Sequence, residues 1–290
     1  MTDDPFVAHR SLLFTIAYEM LGSAVDAEDV VQETWLRWAD VQHSEVRDAR
    51  AYLVRIVTRQ SLNRLRTIAR QREEYVGEWL PEPLLTSPDV AEDVELAESL
   101  SIAMLTVLET LTPTERAVFV LREVFDAPYE EIAAAVDKSP AAVRQVAHRA
   151  REHVAARRPR MEVDRQEQRQ VMDRFLAALT TGDVQGLMDV LAPDVVLIAD
   201  SGGFAAAARH PLVGAERVVS FLAKFPAFID QMEISAIWLN GAPAIRIDAP
   251  PKFGMTAVSL TVENGRISRV YSMRNPHKLR RLGDPVALSR

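Results

Sequence analysis

The chain has 290 residues, 48% of them apolar, a formal charge of −7 and no cysteine. Length and apolar content suffice for two or three domains, each with its own core. The missing cysteines exclude disulfide scaffolds, thiolate metal sites and cysteine nucleophiles, and the negative total excludes coating nucleic acid through bulk charge.

The N-terminus, MTDDPFVAHR, is acidic and lacks an apolar signal segment. No apolar run approaches the roughly 20 residues that span a bilayer. A soluble, cytoplasmic protein without membrane contacts is expected. Charge is strongly segregated. Residues 1–40 carry two Lys/Arg against eight Asp/Glu, and 41–70 carry seven against two. The balance reverses to one against ten over 71–112, and 138–160 hold seven basic residues against Glu152 alone. Two basic segments between acidic ones imply two nucleic-acid contacts on one chain.

Residues 6–22 read as a helix with Leu12, Leu13, Ile16 and Ala17 inward. Asp26 opens the next, DAEDVVQETWLRW, with Asp29 in a capping-box-like position. Val30, Val31, Trp35 and Trp38 cannot share one narrow stripe, so one tryptophan is partly exposed beside Asp29, Gln32 and Glu33. Such a face suits docking to a basic protein, and equally a solvated acidic helix with core tryptophans. In the third helix, 49–70, Arg55, Arg59, Asn63 and Arg66 recur at helical spacing while Leu53, Ile56, Val57 and Leu65 face the core. Cations for phosphate and Tyr52 for stacking suit melted DNA; a merely solvated basic face fits too.

Residues 71–100 are acidic and interrupted by Pro81, Pro83 and Pro88, which reads as an extended linker with a helix from near Ala91. Within it, Trp79-Leu80-Pro81-Glu82-Pro83-Leu84 is too apolar to stay exposed and is expected to dock. A helix follows over Leu100–Leu111. Thr112, Pro113 and Glu115 then specify the start of TPTERAVFVLREV. PYEEIAAAVDKSPAAVRQVAHRAREHV reads as two helices and a tight turn, with Ser139 as cap and Pro140 at the first position. Val143, Val146, Ala147, Ala150 and Val154 form an apolar face. Ala141, Arg144, Gln145, His148 and Arg149 project opposite, as a major-groove reading helix requires, or as an ordinary hairpin with a basic face would. Asp137 occupies the turn position often filled by glycine, and an L-residue tolerates a left-handed backbone less easily.

Residues 163–181 and 183–191 are expected to be helices. From Asp194 the period changes to strands, DVVLIAD, MEISAIWL, PAIRID, GMTAVSLTV and RISRVYSM, with Asn264-Gly265 as a hairpin turn. This predicts an α+β domain with helices on a long antiparallel meander.

In the order DAEDVVQETWLRW, RDARAYLVRIVTRQSLNRLR and LTPTERAVFVLREVFDAPYEEIAAAVDKSPAAVRQVAHRARE, residues 1 to about 158 resemble the extracytoplasmic-function (ECF) sigma factors of bacterial RNA polymerase. The resemblance implies two all-α sigma domains, region 2 at 1–70 and a helix-turn-helix region 4 at 101–160, around an acidic linker at 71–100. It implies that Asp29, Gln32, Glu33 and Trp35 contact core RNA polymerase, with the clamp coiled coil and the flap as partners. It places Arg55, Arg59, Asn63 and Arg66 on −10 promoter DNA, and Arg144, Gln145, His148 and Arg149 on −35 DNA. Asn63 stands where many relatives carry Asp. Residues 161–290, the core of them over 165–275, resemble the SnoaL-like branch of the nuclear-transport-factor-2 (NTF2-like) cone fold.

WLPEPL is similar to a linker signature of ECF factors bearing such an extension. Their DGGG-type loop and NPDKL-type tail appear as Asp200-Ser201-Gly202-Gly203-Phe204 and Asn275-Pro276-His277-Lys278-Leu279. Phe204 replaces a usual Lys and His277 a usual Asp, which removes charges a loop-to-tail contact would use. The resemblance assigns an interdomain regulatory role to Trp79, Leu80, Pro81, Glu82, Pro83, Asp200, Gly202, Gly203, Asn275, Pro276, Lys278 and Leu279, with no separate anti-sigma factor required. Asp200, His210 and Asp248 are conceivable acid/base groups, but no spacing among them is diagnostic. No catalytic residue, metal or cofactor is expected. A sigma factor tuned in cis by its last domain is the preferred reading; the rivals are a one-component ligand-sensing repressor and an enzyme fused to a DNA-binding module.

Overall fold

The computed structural model describes residues 4–157, 165–205, 207–250, 254–283 and 285–290. The chain begins with three helices: α1 (Pro5–Leu21), α2 (Ala24–Ala39) and α3 (Ala49–Glu73). The expected inward residues Leu12, Leu13, Ile16, Ala17, Leu53, Val57 and Leu65 are all buried, while Ile56 is half-buried. α2 starts two residues earlier than Asp26, because the Ser23 hydroxyl accepts from the Asp26 amide at 3.2 Å. Asp26 is therefore not the cap. It lies in the first turn, where a carboxylate faces the positive end of the helix dipole.

The next helices are α4 (Val94–Leu100), α5 (Ile102–Leu108), α6 (Pro113–Phe119), α7 (Tyr129–Val136) and α8 (Pro140–Ala155). The single helix expected over Leu100–Leu111 is broken at Ser101, whose backbone is extended and whose hydroxyl caps α5 at Met104. α6 carries the expected capping box of Thr112 and Glu115 and continues into a wider turn over Val120–Val124. The three-helix unit, the linker and α4–α8 share one apolar core. Residues 80–84 are buried, so this part of the linker is packed rather than free. The expected boundary at Arg70 falls inside α3, and Arg160 lies outside the described residues.

The remainder comprises α9 (Arg165–Thr181), α10 (Val184–Val190), β1 (Leu191–Asp200), β2 (Leu212–Val213), α11 (Ala215–Leu222), β3 (Glu233–Leu239), β4 (Ala242–Asp248), β5 (Met255–Glu263), β6 (Arg266–Met273) and α12 (Pro276–Leu279). The strands form one six-stranded sheet in the order β2-β1-β6-β5-β4-β3. β3 to β6 make the expected antiparallel meander, but β1 runs parallel to β6, pairing Leu197 with Val270 and Asp200 with Met273. A period of two places residues on faces and carries no strand direction, so this pairing was invisible in the pattern. Asn240-Gly241 and Asn264-Gly265 both have positive φ, as two-residue hairpin turns demand.

The sheet buries apolar residues on both faces. One face packs Leu197, Ile245, Val258 and Val270 against α9 and α11. The other packs Ala244, Ala257, Tyr271 and Met273 against Leu80, Ile102, Ala103, Leu279 and Leu282. The second cluster joins the α+β domain to the linker and α5.

Candidate nucleic-acid interface and interdomain clasp

Helix α8 displays Arg144, Gln145, His148 and Arg149 together on its exposed face. Their ionic partners are surface carboxylates: Glu130 for Arg144 at 3.4 Å, Glu152 for His148 at 3.5 Å and Glu115 for Arg149 at 3.9 Å. Pairs of this kind contribute about 0–1 kcal/mol each, so breaking them costs little. On α3, Arg55 stacks over Tyr52 at 5.1 Å, and Arg66 donates to Asn63 at 3.0 Å on an exposed face. Arg59 is committed elsewhere. Its guanidinium donates to the Ala134 and Ala135 carbonyls of α7 at 2.9 and 3.4 Å, so α7 lies against the basic face of α3.

On α2, Trp35 is 46% exposed whereas Trp38 is 2% exposed, which separates the two tryptophans the sequence left undecided. Exposed Leu36, Gln32 and Glu33 adjoin Trp35. Asp29 pairs with Arg64 at 2.9 Å, and Glu33 accepts from Gln60 at 3.0 Å.

WLPEPL is held at both ends. The fully buried Asp200 carboxylate accepts from the Leu80 amide at 2.9 Å and from the Tyr75 hydroxyl. Lys278 Nζ donates to Asp200 at 2.7 Å and to the Leu80 carbonyl at 2.5 Å, and lies 3.4 Å from the centre of the Trp79 ring. Burial pulls the Lys278 pKa down to about 8, against the attraction of Asp200. Asn275 donates to the Tyr75 hydroxyl at 2.7 Å and caps the short α12 at His277. Gly202 has φ 57° and sits where a Cβ would lie 2.6 Å from Asn275 Nδ2 and 3.0 Å from the Tyr75 hydroxyl. Gly203 faces Val76, and Leu279 is buried in the shared interdomain cluster while Pro276 is exposed. Phe204 and His277 meet edge to face at 4.7 Å, so an aromatic contact stands where the lost charges would have paired, and the loop and tail still touch.

At the other end, Glu82 caps α2 from outside. Its carboxylate accepts from Ala24 at 2.8 Å, Val25 at 3.3 Å and the Ser23 hydroxyl at 3.1 Å, satisfying amides the helix cannot. Burial raises its pKa, and these donors oppose the rise. Pro81 and Pro83 flank it, both buried. Asn240 then joins three segments: its side chain accepts from Leu84 at 2.9 Å and donates to the Tyr18 hydroxyl at 2.7 Å and the Leu100 carbonyl at 2.9 Å. Residues 286–290 return across the same region, with Val286 donating to Leu85, Ser289 to Thr15, and Arg290 pairing with Asp93 at 2.9 Å.

Tyr18, Tyr75, Asn240 and this tail were missed by sequence reasoning. Asn240-Gly241 carried a turn signal, but nothing marked its side chain as a junction. Of the groups weighed for acid/base work, Asp200 is consumed by the clasp, Asp248 pairs with Arg246 at 2.7 Å, and His210 is exposed on a loop. Among the described residues no group of three or more His, Cys, Asp or Glu could hold a metal ion, and no helix is long and apolar enough to cross a membrane.

Two family models match: Sigma-70 region 2 over residues 6–71 and Sigma-70, region 4, over 101–154. The chain is 34% identical over 296 residues to the ECF RNA polymerase sigma factor SigJ of Mycobacterium tuberculosis, covering 97% of this chain and 93% of that one. It is 30% identical over 287 residues to the probable ECF RNA polymerase sigma factor SigI of the same species, covering 94% and 92%. The crystal structure of Mycobacterium tuberculosis SigJ superposes with a TM-score of 0.78 at 33% identity, covering 97% of this chain and 99% of that one. The match therefore runs through both helical units and the α+β domain. With two promoter-reading units in the sigma order and near full-length kinship, the chain belongs to the ECF sigma factors of bacterial RNA polymerase, initiation factors that direct the polymerase to promoters and are not themselves enzymes.

Proposed function

We propose that the α+β domain regulates this sigma factor in cis by holding it closed. The observation that carries the reading is the engagement of Arg59 by the Ala134 and Ala135 carbonyls. A cation assigned to −10 DNA is occupied by the helix that precedes the −35 reading helix. Elements centred at −10 and −35 lie roughly 85 Å apart along a duplex rising 3.4 Å per base pair. Two reading units packed against each other cannot reach both. The clasp of Asp200, Lys278, Tyr75 and WLPEPL fixes the linker that would have to extend, which makes the closed state inhibitory. A tethered domain needs no separate anti-sigma factor, because short tethers give effective concentrations of about a millimolar.

In this reading Trp35, Gln32, Glu33 and Asp29 dock on the polymerase clamp coiled coil, and region 4 meets the flap. Arg55, Arg59, Asn63 and Arg66 face −10 DNA once the units part, Arg144, Gln145, His148 and Arg149 face −35 DNA, and the protein works in the cytoplasm. The test is transcription in vitro with core polymerase, comparing the full chain with Asp200→Asn and with a truncation before Asn275. Both changes are expected to raise initiation severalfold; unchanged initiation in both would sink the regulatory reading. Association with core polymerase, lost on Trp35→Ala, checks the docking face separately.

A further inference from the structure

Where the two promoter-reading units meet, their shared core contains charge. Arg116 of α6 is 2% exposed, so its guanidinium lies inside the molecule. Its Nε donates to the Glu19 carbonyl of α1 at 2.9 Å, and its Nη1 lies 2.9 Å from the carboxylate of Glu109, the residue that ends α5. The other oxygen of Glu109 pairs with Arg72, the last residue but one of α3. One carboxylate of region 4 thus joins a cation of its own unit to a cation on α3. Burial alone would raise the Glu109 pKa; Arg116 and Arg72 overcome it and hold the group below the ordinary carboxylate value, so the triad is charged. Region 2 leaves room for this carboxylate. At Gly22, which ends α1, a Cβ would lie 2.7 Å from Glu109 Oε1.

The same Arg72 reaches the clasp. Its Cζ lies 4.8 Å from the centre of the Trp79 ring, and Lys278 Nζ lies 3.4 Å from that centre. The electron-rich face of an indole attracts cations, so one ring holds a cation of α3 and a cation of the α+β domain. From clasp to junction the charged groups run Asp200, Lys278, Arg72, Glu109 and Arg116. The signs alternate except at the step from Lys278 to Arg72, and there the ring lies against both. Lys278 also feels the far cluster: beside burial and Asp200, Arg72 lowers its pKa and Glu109 raises it.

We propose that Glu109 is the latch that fixes the closed placement of the two promoter-reading units, and that Trp79 ties this latch to the Asp200 clasp. With the clasp shut, Lys278 holds the ring, and the ring holds the Arg72 guanidinium against Glu109. Once Lys278 withdraws, the ring loses its anchor, Arg72 swings free, and Glu109 keeps only Arg116 within its own unit. Glu109 and Trp79 are positioning residues that act through Arg72 rather than on promoter DNA. Linkage makes the effect reciprocal, so weakening the latch loosens the clasp. The latch and its tie stand apart from the regulatory reading; their effect on transcription rests on it.

Hydrogen exchange of the full chain, read by nuclear magnetic resonance, tests both parts. The Arg116 Nε proton reports the junction, the Leu80 amide the clasp, and the Ile245 amide, inside β4, the fold as a whole. Arg72→Gln leaves the pairing of Glu109 with Arg116 in place, so a merely local role for Arg72 predicts no change at Arg116. The latch predicts exchange about tenfold faster there, the measure of one charge-assisted contact, and faster exchange at Leu80 with Ile245 unchanged. Glu109→Gln should have the same signature. Unchanged exchange at Arg116 in Arg72→Gln, or equal acceleration at Ile245, overturns the latch. Lys278→Met opens the clasp from the tail side and should also speed exchange at Arg116, but should add nothing in a chain that already carries Trp79→Leu. Undiminished acceleration in that background overturns the tie through Trp79. In transcription with core polymerase Arg72→Gln should raise initiation severalfold; faster exchange with unchanged initiation would leave the latch standing and count against the inhibitory role of the closed state.

Discussion

Lys278 and Asp200 face each other at 2.7 Å with side chains 9% and 0% exposed, and such a pair is more costly to break than it is valuable to possess. Asp200→Asn leaves a buried ammonium facing a neutral amide and is expected to destabilise the closed chain by about 3–5 kcal/mol, whereas Asp200→Leu with Lys278→Met should recover much of that loss. Thermal unfolding of the singles and the double checks this as a mutant cycle. Glu19 poses a different problem. It is fully buried on α1, accepts from Ser99 at 2.7 Å, and burial raises its pKa to about 8 from 4.5. The folded chain keeps a proton there that the unfolded chain releases, so this contribution to stability is full below pH 4.5 and is lost as pH rises toward 8. The slope is on the order of 1 kcal/mol per pH unit across that window, and Glu19→Gln should flatten the pH dependence of the melting temperature. Asp137 ends α7 in the left-handed conformation at φ 57° and ψ 53°, the geometry its position implied and its side chain resists. Asp137→Gly should stabilise region 4 by about 1 kcal/mol, read as a higher melting temperature with −35 DNA affinity unchanged.

At the scale of elements, legibility followed the range of the interaction. Capping and periodicity are local, so α3 was readable from its spacing over 49–70, and α6, α7 and α8 from Thr112, Pro128 and Ser139 onward. The start of α2 was misplaced although its Ser23 cap is local, and the Glu82 carboxylate that also satisfies its first amides comes from 58 residues beyond Ala24. β1 was found as a strand and its parallel partner β6 was not, since pairing across a sheet is decided by tertiary packing. The basic face of α3 was visible as a row of cations, but its coverage by α7 depends on the carbonyls of Ala134 and Ala135, which every sequence possesses. WLPEPL stood out because apolar residues in an acidic stretch need a partner; which partner could not be read, for Asp200 lies 120 residues from Leu80. The loop after β1 offers the sharpest test at this scale. Gly202→Ala drives a methyl group into Asn275 and Tyr75 at a positive φ, and should loosen the clasp without touching either reading helix. Faster hydrogen exchange over 78–86, with exchange in α8 unchanged, is the expected signature.

At the scale of the whole molecule, three layers of contact close the chain: the Asp200 clasp, the Asn240 junction and the returning tail. Removing residues 285–290 leaves the first two and deletes the pairing of Arg290 with Asp93 and of Val286 with Leu85. Scattering in solution should then show an unchanged or slightly larger radius of gyration, whereas Asp200→Asn combined with this deletion should give clear expansion. The junction also has a temporal consequence. Asn240 bonds to Tyr18 across 222 residues of sequence, so the closed form cannot be completed until the ribosome has made the fourth decade past 200. At about 5–20 residues per second, the stretch from the end of α8 to Asn240 takes roughly 4–17 s to synthesise. On the proposed regulatory reading, each newborn chain carries both promoter readers and no lock through that interval, and a polymerase nearby meets it in its most receptive form.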